Sequence, residues 1–139
     1  LNNRNTIDPL SEGQEFLSKL FLKAGKVHNR YGTPEEKKRY QLETGVRRFK
    51  REVLGLCGKS SIKSLDELAG TLVKIGIANS LSEAKELVPQ MVTANSHCYV
   101  GYCVDRNPGG SDEYIHLEPV EGPDSSKYRI THRWVLSFL

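Results

Sequence analysis

Residues 67–92 carry the most regular pattern of hydrophobic and polar positions in this chain. The first half of the segment places apolar residues on one side of a helix: Leu68, Leu72, Val73 and Ile75. Gly76 follows where a left-handed residue closes a helix, and Ser80 with Glu83 forms a capping box that starts another. The apolar positions of that second helix are Ala84, Leu87, Val88 and Met91. The pattern predicts two short amphipathic helices joined by a tight corner.

Pro89 interrupts the second of these helices. Proline lacks a backbone donor and its ring clashes with the preceding turn, so it kinks or ends a helix. Because Met91 and Val92 continue the apolar pattern, we expect the helix to bend at Pro89 and to continue beyond it.

Two further helices are expected upstream, at about 12–25 and from Thr33 to about Cys57. The second has a strong start, since Thr33 can cap it, a proline follows, and Glu36 completes a capping box. Gly58 is its expected stop, and an interior Gly45 is expected to mark a bend.

The character of the chain changes after residue 96, where β-branched and aromatic residues alternate with turn residues. We expect strands at 97–104, 114–120 and 128–139, with turns at 106–113 and 121–127. Helices followed by a small antiparallel sheet indicate an α+β, winged-helix-like fold with an extra N-terminal helix. The corresponding domain division is a helical extension at 1–32 and a winged-helix-like domain at 33–139.

Charge is unevenly distributed, although the net charge of the 139 residues is only +3. Residues 1–60 hold 13 Lys/Arg against 7 Asp/Glu, whereas residues 61–139 hold 7 against 10. The candidate binding residues are the cations of 37–51 and two beyond it: Lys37, Lys38, Arg39, Arg47, Arg48, Lys50, Arg51, Lys59 and Lys63. The pattern of 46–57 places Arg47, Arg48 and Arg51 opposite an apolar face. Such a surface attracts phosphates or an anionic membrane, and it is also typical of a solvated helix face.

The residues that could support chemistry do not form a recognisable site. Cys98 and Cys103 lie five apart on an expected strand, so they face opposite sides, and His97 and Cys103 are too far apart to share one ion. The four histidines are scattered, and no nucleophile elbow or phosphate-binding loop occurs. We therefore expect no enzyme activity, no metal and no cofactor.

Compartment is indicated by two further features. No apolar run approaches the ~20 residues that a membrane-spanning helix needs. Three cysteines, an odd number, do not form a disulfide framework, which favours a reducing compartment. We expect an intracellular, cytoplasmic protein, or a nuclear one if it binds nucleic acid in a eukaryote.

Residues 67–92 resemble the central part of DEP domains, which are winged-helix modules. The matching positions are Glu67-Leu68, Leu72, Gly76-Ile77, Ser80, Glu83-Ala84, Leu87 and Met91-Val92. Tyr128-Arg129-Ile130 is similar to the aromatic-Arg-aromatic signature of that family's closing strand, so the resemblance covers about 46–131. It implies a docking role, with Lys59 and Lys63 near the tip between two helices. The run 76–88 is also similar to the S4-type RNA-binding motif, but the later Gly and Val-Asn-Gly turn of that motif are missing.

Three functional hypotheses follow. The first is a non-enzymatic docking or recruitment module that binds a protein partner or an acidic membrane surface. The second is a nucleic-acid-binding winged helix that contacts phosphates through 37–51, because residues 80–95 contain a single cation, Lys85, beside two glutamates. The third is an accessory subunit that uses the 12–25 helix or the apolar C-terminal tail as a partner surface.

Overall fold

The computed structural model describes residues 9–27, 32–55, 60–95, 111–122 and 125–136. These ranges contain four helices: α1 (Pro9–Ala24), α2 (Pro34–Leu54), α3 (Leu65–Lys74) and α4 (Leu81–Asn95). They also contain three strands: β1 (Ser60–Ser64), β2 (Ser111–Pro119) and β3 (Lys127–Leu136). The strands form one antiparallel sheet in the order β1-β3-β2. The fold is therefore α+β and winged-helix-like, as the sequence predicted.

Helix α2 begins as predicted but ends earlier. Thr33 accepts a hydrogen bond from the Glu36 N–H, and the Glu36 carboxylate accepts one from the Thr33 N–H, each at 3.1 Å. The predicted continuation to Cys57 is wrong, because Gly55 ends the helix with φ 76° and donates its N–H to the Arg51 carbonyl at 2.8 Å. Gly58 lies outside the described residues.

The corner between α3 and α4 confirms the predicted role of Gly76. This glycine has φ 88° and donates to the Val73 carbonyl at 3.1 Å, while Ile77 donates to Leu72 at 2.9 Å. These two bonds define a Schellman motif, which satisfies the last carbonyls of α3. At the start of α4, Ser80 accepts from the Glu83 N–H at 3.1 Å, and the Glu83 carboxylate accepts from Asn79 at 3.3 Å.

Helix α4 continues beyond Pro89, as predicted, and ends at Asn95, whereas the expected bend at Pro89 stays a prediction. Pro89 lies on the exposed side of the helix, whereas Val88 and Met91 on either side of it are buried. Proline costs the helix one backbone hydrogen bond. Burial of Val88 and Met91 stabilises the helix by more than this loss, so the helix continues.

The strands differ from the prediction in several places. β1 was not predicted, because its sequence SSIKS has no apolar alternation; pairing with β3 makes it a strand. β2 begins at Ser111, so residues 111–113 are not in the predicted turn, and β3 already begins at Lys127. The predicted strand 97–104 lies outside the described residues.

Helix α1 packs closely across α2 at two glycines. A Cβ atom on Gly45 would lie 2.0 Å from the Phe21 carbonyl oxygen, and one on Gly25 would lie 1.7 Å from the Gln41 carbonyl oxygen. Gln41 and Thr44 of α2 also bond to the end of α1, at the Leu22 carbonyl (2.7 Å) and the Lys26 N–H (2.8 Å). Gly45 therefore permits a close contact between the backbones of the two helices. The sequence had instead suggested that Gly45 marks a bend in α2.

One hydrophobic core receives side chains from all four helices and from β2 and β3. Helix α1 contributes Leu17, Leu20, Phe21 and Ala24 to this core. The rings of Phe21 and Phe49 meet edge to face, with centroids 5.2 Å apart. The division into an extension at 1–32 and a domain at 33–139 stays a prediction.

Asn95 connects the end of α4 to the sheet. Its side chain is fully buried, donates to the Ile115 carbonyl at 3.0 Å and accepts from the Leu117 N–H at 2.8 Å. Both bonds reach backbone groups of β2 that face away from β3. The Asn95 carboxamide therefore occupies the outer edge of β2 in the way that another strand would.

Candidate functional site

The candidate site is the exposed side of α2, which three arginines dominate. The opposite side of this helix buries Gly45, Phe49 and Val53 in the core. Arg47, Arg48 and Arg51 are exposed, which confirms their predicted separation from the apolar face. We call these three residues the arginine face. Since α2 is capped at both ends and packed along its length, the face is held by a rigid element.

Part of the charge on α2 is neutralised within the helix. The Glu43 carboxylate lies 3.2 Å from Arg39 Nε and 3.9 Å from an Arg47 terminal nitrogen. Lys37 and Lys38 follow Glu35 and Glu36 in the acidic first turn. The net positive charge of α2 is therefore concentrated in its second half.

Arg48 and Arg51 carry the strongest uncompensated charge of that half. Neither forms an ion pair within the part of the chain that the structure describes. Three residues separate them, about one turn and ~4.5 Å along the helix axis. Two guanidinium groups at this spacing can bind neighbouring carboxylates or phosphates at the same time.

The remaining predicted binding residues do not join this group. Lys37 and Lys38 lie ten or more residues from Arg48, which is ~15 Å along the axis. Lys63 lies on β1, with its Nζ 4.0 Å from a Glu67 oxygen. Lys59 lies outside the described residues. Of the eight candidates that lie within the described residues, the structure groups three and leaves five dispersed.

Lys50 faces the sheet and is only partly exposed. It lies near His132 of β3, and two effects lower the pKa of that histidine: burial of the imidazole and the positive charge of Lys50. The charge of Lys50 therefore acts on His132, and Lys50 is not part of the arginine face.

Helix α4, which a DNA-binding winged helix would use to read bases, has a nearly neutral outer surface. Its single cation, Lys85, lies 3.0 Å from an Asp66 oxygen. The other exposed residues along that side include Glu86, Pro89 and Gln90. With its only cation paired to a carboxylate, the outer surface of α4 offers phosphates little attraction.

Sequence interpretation missed the strand β1 and the cap that follows it. Ser64 and Glu67 form a capping box at the start of α3, with both bonds at 3.1 Å. The S-x-x-E spacing before Leu68 was the signal that could have located this cap. Ser64 is therefore both the last residue of β1 and the cap of α3, and the residues before it are extended because they pair with β3.

The described ranges contain no group of three or more His, Cys, Asp or Glu side chains that could hold a metal ion. A small pocket near Phe49, Leu72 and Met91 is lined by apolar side chains alone. His97, Cys98 and Cys103 lie outside the described residues. Among the helices that the structure describes, none has the length and apolar character that crossing a membrane requires.

Comparison of the chain with protein-family models, curated proteins and solved structures finds no match. The fold and the arginine face are thus the basis for inferring function, and the resemblance to DEP domains stays a prediction.

Proposed function

We propose that this protein is a non-enzymatic recruitment module whose arginine face binds an acidic segment of a protein partner. The observation that carries the proposal is the pair Arg48 and Arg51, exposed one turn apart on a packed helix and not neutralised by described residues. The resemblance of 46–131 to DEP docking domains supports the same role.

The physical argument rests on the number and geometry of the available cations. A single exposed ion pair contributes only about 0–1 kcal/mol, so specific docking needs several pairs in a fixed arrangement. Arginine forms bidentate bonds to carboxylates, and a rigid helix lowers the entropy lost when those bonds form. A local positive field also accelerates encounter with an acidic partner.

Nucleic-acid binding is the second candidate, and the exposed guanidinium groups favour it because they also suit phosphates. The surface of α4 offers no set of base-reading side chains, so such binding would be independent of sequence. With about three arginines involved, the logarithm of affinity should fall with the logarithm of salt concentration with a slope near −3.

The test is a titration of the protein with a glutamate-rich peptide, duplex DNA and anionic vesicles at about 20 and 150 mM salt. We expect the peptide to bind and Arg48→Ala/Arg51→Ala to weaken its binding by about tenfold or more. Lys19→Ala/Lys23→Ala is the matched control, since it removes the same charge from exposed positions on α1.

Two outcomes would contradict the proposal. Equal loss of affinity in both double variants would show that net charge, not the arginine face, governs binding. Binding of DNA or vesicles with no binding of the peptide would replace the acidic protein partner with a nucleic acid or a membrane.

A further inference from the structure

The chain just after α1 places a further cation beside the arginine face. The Lys26 N–H donates to the Thr44 hydroxyl of α2 at 2.8 Å. Thr44 lies four residues before Arg48, so the two are neighbours on the helix surface, one turn or ~6 Å apart along the axis. The backbone of Lys26 is therefore held next to the side of α2 that carries Arg48.

Several contacts fix this position. The Gln41 side chain donates to the Leu22 carbonyl at 2.7 Å, and the backbone of Gly25 lies so close to the Gln41 carbonyl that a Cβ would not fit. The Thr44 hydroxyl, which accepts the Lys26 N–H, also donates to the Gln41 carbonyl at 3.0 Å. Lys26 is thus attached to α2 through its own backbone and through that of the residue before it. A cation held in this way loses less entropy on binding than one on a frayed end.

The charge of Lys26 has no compensation among the described residues. Its side chain is exposed and forms no ion pair with any residue that the structure describes. The two glutamates of α2 beyond its first turn are both engaged elsewhere. Glu43 is paired with two arginines of its own helix, and Glu52 lies 3.0 Å from Lys74 of α3. Lys26 therefore adds a full positive charge to that of Arg48 and Arg51.

The three cations follow one another along α2. Arg51, Arg48 and Thr44, which marks the level of Lys26, are separated by ~4.5 Å and ~6 Å along the axis. Side chains on one side of a peptide recur at similar distances, ~6.6 Å in an extended segment and ~5–6 Å on a helix. One segment with three acidic residues can therefore meet all three cations, whereas a segment with two leaves Lys26 without a partner.

We propose that Lys26 is a third anchoring residue of the recruitment site, and that the acidic segment bound by Arg48 and Arg51 continues past Thr44 to place a third carboxylate on Lys26. This inference rests on the proposed recruitment function and deepens it, since it specifies the number of acidic residues and the path of the segment. Thr44 acts as a positioning residue. Single exposed ion pairs are weak, so a third pair in a fixed position contributes to specificity.

The test uses blocked peptides of equal length, titrated into the full chain at about 20 mM salt. One peptide carries three glutamates alternating with serine, and two others have either terminal glutamate replaced by glutamine. We expect at least one replacement to weaken binding to the unaltered chain by about threefold. In Lys26→Ala the same replacement should weaken binding by less than about 1.5-fold, because the partner of the third carboxylate is gone.

Three further variants separate a positioned contact from net charge. Lys26→Arg keeps the charge and should keep the effect of the third glutamate. Thr44→Val keeps every cation but removes the hydroxyl that holds Lys26, so the effect should decrease. Lys127→Ala is the matched control, because it removes an exposed lysine of β3 that has no ion pair within the described ranges. If Thr44→Val fails to fold, the comparison of Lys26→Ala with Lys127→Ala still decides the question.

Three outcomes would contradict the inference. If Lys26 only complements the negative end of α1, Lys26→Ala will lower the urea midpoint and leave the affinities of all peptides unchanged. Equal weakening of the two-glutamate and three-glutamate peptides by Lys26→Ala would indicate a general field and reject a third contact. Both of these results retain the recruitment function. Absence of binding by every peptide, including the one with three glutamates, would reject that function as well.

Discussion

At the scale of single residues, the predictions that succeeded concern local hydrogen bonding. The box of Thr33 and Glu36 and the left-handed Gly76 need only neighbours within five residues, so the sequence contains their whole cause. Asn95 is the opposite case. Its partners lie 20 and 22 residues away, and nothing in its local sequence indicates a buried amide that binds β2.

His132 provides a prediction at the residue scale. Burial and the charge of Lys50 lower the pKa of His132 below 6.5 in the folded protein. The folded state therefore binds fewer protons than the unfolded state, and this contribution to stability is fully present above pH 6.5. It decreases as the pH falls below that value toward the folded-state pKa.

We expect the urea midpoint to fall between about pH 7.5 and pH 5.5, and to fall less in His132→Gln, which cannot be protonated. Urea unfolding curves at both pH values measure this difference. An equal decrease in the variant and the unaltered protein would assign the acid sensitivity to other groups.

At the scale of elements, the crossing of α1 and α2 shows how tertiary structure changes the meaning of a glycine. Gly45 in an isolated helix is unfavourable by ~1 kcal/mol relative to alanine. In the folded chain its Cα lies against the backbone of Phe21 and Gly25, where no side chain fits. The residues that Gly45 contacts lie outside α2, so the pattern of residues within α2 cannot predict this contact.

Gly45→Ala should therefore destabilise the protein, although alanine is the better helix former. The added Cβ would meet a backbone oxygen at 2.0 Å, so the two helices must separate. We expect a loss of about 1–3 kcal/mol in the free energy of unfolding, measured by urea denaturation.

Gly70→Ala is the matched control, because it lies in α3 with open space where the Cβ would be. It should be neutral or stabilise by up to ~1 kcal/mol. Similar effects of the two substitutions would show that the crossing tolerates a side chain.

At the scale of the whole molecule, one core connects α1 to the winged-helix-like part. Leu17, Leu20 and Phe21 are all buried; Gln41 also donates to the Leu22 carbonyl, and the Lys26 N–H just after α1 donates to Thr44. Removing α1 would expose the core residues that it covers, including Phe49.

We expect removal of residues 1–32 to abolish the cooperative thermal transition, because several large apolar side chains would lose their partners at once. Circular dichroism during heating measures this. A chain of residues 33–139 that unfolds cooperatively would instead establish an autonomous domain with a separable extension.

The candidate site shows how far sequence interpretation reaches for function. The alternation of apolar and basic residues along α2 was sufficient to predict that Arg47, Arg48 and Arg51 share an exposed side. It did not show that Glu43 engages Arg39 and Arg47, or that Lys50 faces the sheet near His132. The positions of charged residues along a helix can be predicted from sequence. Whether a charge is neutralised depends on side-chain conformations and on which other elements pack nearby.

The sequence by itself determined the presence of the four helices, the starts of α2 and α4, the corner at Gly76 and the α+β class, since these follow from capping, periodicity and composition over short separations. Only the tertiary structure decided that SSIKS is a strand, that Gly55 ends α2 and that Gly45 faces another backbone. A strand of serines and a lysine has little preference of its own, and it forms because β3 provides the missing hydrogen-bond partners.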